Sequence, residues 1–452
     1  MRRLVLGAMA ALLAGGVIVG HTKTSAPSAA YGLTRAVAPQ PYLLMPADVG
    51  GKLPALLSQT GVFKDTRNLV VADGLIPYDL VVAFWSDGAS KLRWAAVPDG
   101  GKIQFSADGD WVFPAGSVLV KTFELPIDEA HPEVKRRLET RLLVRDNSGA
   151  VYGVLYKWRP DNSDAELLSS SLTEDIPIKT AGGGTRTQTW YYPSRQNCLE
   201  CHNTHTTGVL GVKTRQLNRD FTYSSGVTDN QLRTWNHLGL FAPGFSDSDI
   251  PNLPKLAAAG DTTRSVEDRA RSYLDANCSQ CHRPGGTVAN FDARYDTPLD
   301  KQGLIDGPVL IDERIDHSRV IAPNDIWRSI AFMRVNTVGD VRMPPVARET
   351  IDVKGADLLK QWITSLPGRP VVAPPLISPS GGTFTGPVAV SLNDAEPGAD
   401  IRYTLDGSVP TASDMRYEQP IQLTGPTVVR ARAFKDGFTR SIAAQAVFIV
   451  GQ

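Results

Sequence analysis

Cysteine is scarce in this chain. There are four in 452 residues, all after position 197, and every one belongs to a Cys-x-x-Cys pair, so none is left over. No cysteine follows the apolar run near the start, which excludes lipid attachment there. Charge of one sign is also lacking: Lys plus Arg and Asp plus Glu each number 47. No basic stripe forms, and the longest basic cluster, Lys135-Arg136-Arg137, sits in an alternating, strand-like segment, so nucleic acid is not the expected partner.

The chain opens on Met1-Arg2-Arg3, runs uncharged from Leu4 to Gly20, and turns polar around Thr22 to Ser28. A basic start, a short apolar core and small residues at Ser28, Ala29 and Ala30 have the shape of a secretory signal peptide over residues 1–30, cleaved near Tyr31. The competing reading is an uncleaved N-terminal anchor. Cleavage gives a soluble, near-neutral mature chain in the periplasm or outside the cell, long enough for two to four domains.

The cysteines fall as Cys198-Leu199-Glu200-Cys201-His202 and Cys278-Ser279-Gln280-Cys281-His282. Two thiols one helical turn apart suit thioether bonds to the two vinyl groups of a haem, and the adjoining imidazole suits one face of its iron. Two structural disulfides, a four-cysteine zinc site or a thioredoxin-like pair would use the thiols but ignore both histidines. The expected cofactors are therefore two covalently bound c-type haems, with Cys198, Cys201, Cys278 and Cys281 as attachment points and His202 and His282 as iron ligands.

Around the second motif, Ser265 to Asn277 and Lys354 to Leu366 carry helical periodicity, the latter stopped by Pro367-Gly368. Arg342-Met343-Pro344-Pro345 lies between them, 61 residues beyond His282, and offers Met343 on a proline-stiffened loop as the sixth ligand. Met333 reads as a core gap-filler. No methionine lies between His202 and Cys278, so the first iron needs another partner. His205 is too close along the chain to reach the far face easily, and His237, 35 residues beyond His202, is preferred. If neither binds, the first iron is open, and an open iron implies chemistry.

From Tyr42 to Tyr192 there is no cysteine and one histidine, His131, read as an exposed loop residue; no catalytic constellation is visible. Alternating segments at Lys91 to Val97, Ser117 to Leu125, Leu138 to Arg145 and Val151 to Trp158 predict strands, the last two forming a hairpin. Asp87, Asp108 and Asp110 sit in turn-like contexts, with a carbohydrate or calcium contact as the rival role. Residues 369–376 are proline-rich and read as a stiff linker. Residues 377–452 show short strands at regular spacing and no tryptophan, so a small antiparallel sandwich without a flat sugar-stacking face is expected.

The predicted architecture is multidomain: a β-rich N-terminal domain (31–190), a mainly α, cytochrome c-like dihaem region (191–368, with the first haem on 191–260 and the second on 261–368), and an immunoglobulin-like β-sandwich. Ser378 to Phe384, Ile401 to Pro410 and Val429 to Gly437 resemble the chitobiase/beta-hexosaminidase C-terminal module, which implies attachment or support and no glycosidase activity. Trp85-Ser86-Asp87-Gly88-Ala89, Val118 to Pro126, Thr214 to Asp220, Asn277 to Gly286 and Arg342 to Pro345 are similar to a family of exported dihaem c-type cytochromes. That resemblance implies haem ligation and electron transfer with an exported dehydrogenase or a terminal acceptor as redox partner. The alternatives are a peroxidase-like or oxygenase-like dihaem oxidoreductase with an open first haem, and a haem protein attached to polysaccharide or the cell envelope through its C-terminal module.

Overall fold

A computed structural model describes residues 30–34, 39–287, 289–346, 348–394 and 396–451; the expected signal peptide lies almost entirely outside them. Strand exceeds helix, 29% against 15%. Among the described residues, no helix is long and apolar enough to cross a membrane.

The N-terminal half is organised by a six-stranded antiparallel meander: β1 (Ile76–Pro77), β2 (Ser90–Ala96), β3 (Val118–Pro126), β4 (Lys135–Arg145), β5 (Val151–Trp158) and β6 (Ala165–Leu167), neighbours in that order. Side chains alternate across a pleated strand, so each strand presents two different faces. Val118, Val120, Leu142, Val144, Tyr152, Val154 and Tyr156 share one face and bury it with Leu57, Val62 and Phe63 from the preceding loops. The opposite face carries Arg93, Lys121 and Arg141 as direct cross-strand neighbours on β2, β3 and β4. A further hairpin, β7 (Leu172–Lys179) and β8 (Thr185–Tyr192), covers one end of that face by packing Ile176, Ile178, Trp190 and Tyr192 against Phe123, Leu125, Leu138 and Leu155.

The chain leaves β8 through Pro193 and enters α1 (Arg195–Cys201), which Ser194 caps by accepting from the Asn197 amide. Two more short helices follow, α2 (Thr214–Leu217) and α3 (Gln231–His237). Residues 191–260 have no separate core: Val209, Val212, Leu217, Leu232 and Trp235 share one with Ile76, Tyr78, Ala95 and Leu119 of the sheet.

The expectation of a mainly α, cytochrome c-like region over 191–368 is overturned. The helices there are few and short: among the described residues the α-helices of the second half are α4 (Val266–Asn277), α5 (Ile330–Val335) and α6 (Val353–Ser365). Ser265 and Asp352 cap α4 and α6. The two helices cross at Gly355, where an added Cβ would lie 2.4 Å from the Tyr273 ring, and they bury Leu274, Leu359, Trp362 and Ile363 together. The intervening chain is irregular because prolines interrupt it repeatedly and side chains satisfy its backbone. Asp292 accepts from the Arg294 amide, and the Ser329 hydroxyl accepts from the Ala322 amide.

Residues 376–450 form the expected β-sandwich. A three-stranded sheet (Leu376–Ser378, Val388–Asn393, Ile421–Leu423) faces a five-stranded one built on Asp400–Thr404, Thr427–Phe434 and Ala444–Val450. Val390, Leu392 and Leu423 of the first meet Val429, Ala431 and Phe448 of the second. The sandwich is docked onto the preceding segment. Buried Arg328 donates to the carbonyls of Arg440 and Ser441, and Asp316 pairs with Arg432 at 2.9 Å. The expected linker is strapped to it as well, Thr439 donating to the Pro370 carbonyl and Val372 to that of Thr439.

Candidate functional site

Each Cys-x-x-Cys-His motif opens onto its own cleft. The first cleft, about 1270 Å³ and open to solvent, lies between α1 and the cation-bearing face of the sheet and is lined by Cys198, Cys201 and His202. Helix α1 sits directly on β5. An added Cβ on Gly153 would stand 2.7 Å from both the Cβ and the Sγ of Cys198, so only glycine admits the motif at this distance. His202 Nδ1–H donates to the Gly208 carbonyl at 2.8 Å, which leaves Nε2 with a free lone pair. Burial, with Lys121 nearby, pulls the imidazole down to about 4 and keeps it neutral. Neutral, with one nitrogen anchored and the other free, is the state an iron ligand needs.

Lys91, Arg93, Lys121 and Arg141 line the same cleft. Arg93 pairs with Asp79 and Arg141 with buried Glu139, each at 2.6 Å. Among the described residues Lys91 donates to backbone carbonyls alone, chiefly that of Phe84 at 2.7 Å. Burial and the neighbouring guanidinium groups pull Lys121 down to about 7.

The second cleft, about 1190 Å³, is lined by Cys278, Cys281, His282, Phe291, Met343 and Pro344 among others. The His282 ring stacks on Phe291, centroids 4.3 Å apart, and its buried Nδ1 has no hydrogen-bond partner among the described residues. Burial, then the nearby Arg334, pulls this imidazole down to about 4. Met343 is held through its backbone, its amide donating to the Arg334 carbonyl at 3.0 Å. Arg348, buried at 2% exposure, donates to the carbonyls of Arg334, Val335, Thr337, Met343 and Thr350 and so fixes the whole loop.

The two clefts adjoin. Cys201 and Cys281 face each other as hydrogen-bonding partners; the bond pulls the Cys281 thiol down to about 7 and pushes that of Cys201 up. Around this contact, Arg283 pairs with Asp110 at 2.9 Å, and Lys213 with buried Asp275 at 2.8 Å. His205 lies against the second motif's loop, its Nδ1 3.1 Å from where a Gly285 Cβ would stand.

The loop Trp85 to Ala89 ties the halves together. Trp85 N–H donates to Asn277 Oδ1 at 2.8 Å, one residue before Cys278. Asp87, 4% exposed with φ 48°, accepts from the amides of Glu349 and Thr350, 2.8 Å each, and from the Thr350 hydroxyl. Asp87→Ala strips three hydrogen bonds and lowers stability by about 2–4 kcal/mol, whereas Asp87→Asn keeps the accepting oxygen. Burial raises this carboxyl above its usual range against those bonds, so its ionised form is less favoured folded than unfolded. The fold therefore loses stability as pH rises from the ordinary carboxylate range through the raised value, and Asp87→Asn gains on the natural chain over that window. Urea denaturation at stepped pH reads both effects; a fixed difference at every pH contradicts the second.

Among the residues expected from sequence, Met343 and His282 share one cleft, while Met333 does not line it. His237 is apart from the first cleft. It is exposed at the end of α3 and stacks flat on Tyr31, centroids 3.7 Å apart. Asp110 and Asp87 do more than form turns, since both brace the second motif's segment. His131 is exposed, as expected, beside Asp128. Sequence reasoning missed Lys91, Lys121, Gly153 and Arg348. A glycine and charged residues on the covered face of long strands were the available signal.

No disulfide joins the four cysteines, and among the described residues no group of three or more His, Cys, Asp or Glu is gathered as a metal site. Cys198 and Cys201 line the first cleft and Cys278 and Cys281 the second, with Cys201 and Cys281 adjacent where the clefts meet. Each cleft is lined by two sulfurs and a neutral imidazole, a donor set that suits a covalently held haem.

Residues 379–445 match the chitobiase/beta-hexosaminidase C-terminal domain. No curated protein and no solved structure matches the chain.

Proposed function

We propose that this chain is an exported dihaem c-type cytochrome that moves single electrons. Cys198 and Cys201 hold one haem with His202 on its iron, and Cys278 and Cys281 hold the other with His282 and Met343. The observation that carries the reading is that each Cys-x-x-Cys-His motif lines a cleft of its own, and the second of these also holds Met343. Each bound haem supplies one-electron redox chemistry, and the chain fixes its orientation, burial and ligands, which tune its potential. The similarity of the Trp85–Ala89, Asn277–Gly286 and Arg342–Pro345 stretches to exported dihaem cytochromes supports it. An exported dehydrogenase and a terminal acceptor are the partners that fit, and the docked C-terminal sandwich serves as support or envelope attachment.

A second reading has its own observation. Among the described residues no methionine, and no histidine besides His202, lines the first cleft. An exchangeable position on the first iron would make the chain a dihaem oxidoreductase with peroxide or oxygen chemistry.

Optical and EPR spectra of the loaded protein in both oxidation states, with and without carbon monoxide, separate the two. Electron transfer alone predicts two low-spin haems, no carbon monoxide uptake, and a methionine-to-iron band that vanishes in Met343→Ala. Uptake at one haem of the natural chain with the methionine-to-iron band intact, rising to two haems in Met343→Ala, favours the oxidoreductase.

A further inference from the structure

The first cleft holds a charge imbalance that neither the fold nor the attachment chemistry explains. Arg93, Lys121 and Arg141 stand directly opposite one another on three adjacent strands, with Lys91 diagonal to Lys121 on the same face. Like charges facing each other across strands destabilise a sheet. Asp79 and Glu139 answer the two arginines. Among the described residues no carboxylate pairs with Lys91, and Lys121 makes no hydrogen bond or ion pair although it sits between two guanidinium groups. Both lysines border the cleft shared by Cys198, Cys201 and His202, so the cleft presents two amino groups for which the described chain supplies no anionic partner. Burying an ammonium group without an anionic partner is costly, and carboxylates brought into the cleft remove that cost and favour the charged form of both lysines. The second cleft differs: its lining cation, Arg334, is already paired with Glu313 at 2.5 Å.

This inference rests on the haem reading above. We propose that Lys91 and Lys121 are the carboxylate-binding residues of the first cleft and hold the two propionates of the haem attached at Cys198 and Cys201. The pair matches the number of propionates a haem carries. Their positive charge stabilises the reduced, more negative form of that haem and so raises its potential, an influence the second haem lacks.

The test uses full-length loaded protein. Peptide mass mapping first locates haem on the Cys198–Cys201 peptide. Its absence there defeats the haem reading itself, and with it this proposal. With haem in place, Lys91→Gln plus Lys121→Gln is expected to lower the potential of one haem in a spectroelectrochemical titration, leave the other unchanged as an internal reference, and shift the propionate bending lines in resonance Raman spectra. Lys91→Arg plus Lys121→Arg, which keeps the charge and guards against a mere loading defect, restores the natural potential. Potentials and propionate lines equal to those of the natural protein in the glutamine variant, or arginine variants that behave like the glutamine ones, overturn the proposal.

Discussion

Arg348→Ala is expected to cost the fold about 3–5 kcal/mol and, in the haem-loaded protein, to abolish the methionine-to-iron band. The guanidinium spends its donors on five main-chain carbonyls drawn from Arg334 through Thr350, and it is 2% exposed. Truncation strands several acceptors in a buried loop, and that loop is what presents Met343 to the cleft of His282. Lysine does not substitute. An ammonium cannot span acceptors that a planar fork reaches, so Arg348→Lys is expected to recover part of the stability and little of the band. Denaturant unfolding gives the first quantity and the optical spectrum the second. A band intact in both variants would mean that the prolines alone hold Met343 in place.

Gly153→Val is the second substitution with a large expected effect, and its direction runs against local propensity. Valine favours the middle of a strand and glycine weakens it, so on the free face of a sheet the change would stabilise. Here the new Cβ would overlap Cys198, whose Cβ and Sγ both lie 2.7 Å from its position. Helix α1 must lift off β5 or the strand must shift, at a cost of about 1–3 kcal/mol, and Cys198 leaves the cleft wall. Haem content is expected to fall from two per chain to one, retained at Cys278 and Cys281. Two haems per chain in Gly153→Val would show that α1 is not seated on β5 while attachment takes place.

Much of the architecture could be read directly. The alternation of Val118 to Pro126 and Lys135 to Arg145, the turn at Asp146 to Gly149 and the spaced strands after Ile377 are local signals, and strands form where they point. The two capped helices around the second motif also fall where their periodicity puts them. The expectation of a mainly helical region failed for a long-range reason. Between those helices the chain is shaped by contacts with distant partners, such as Asp87 with Thr350 and Asp110 with Arg283, and no window of neighbouring residues contains both members.

The first cleft was hidden for the same reason. Lys121 and Arg141 precede Cys198 by many residues, and alternation says only that they share a face with Phe123 and Leu143. The close seat of α1 on this face requires a glycine at 153, which lies inside the segment Val151 to Trp158 that alternation reads simply as strand. His237 was expected in the cleft from its distance along the chain, yet α3 ends by turning it outward against Tyr31. Met343 and His282 converge because the loop between Arg334 and Thr350 is gathered around Arg348, which supplies in space what the proline pair only suggested in sequence.

The central claim is that these four thiols are consumed by two haems. Intact-mass measurement of the chain purified from an exported, haem-supplied compartment, with peptide mapping of both motifs, tests it most directly. The account predicts one haem on Cys198 and Cys201 and one on Cys278 and Cys281, with no free thiol remaining. Four unmodified thiols, a disulfide or bound zinc in the exported protein would contradict it.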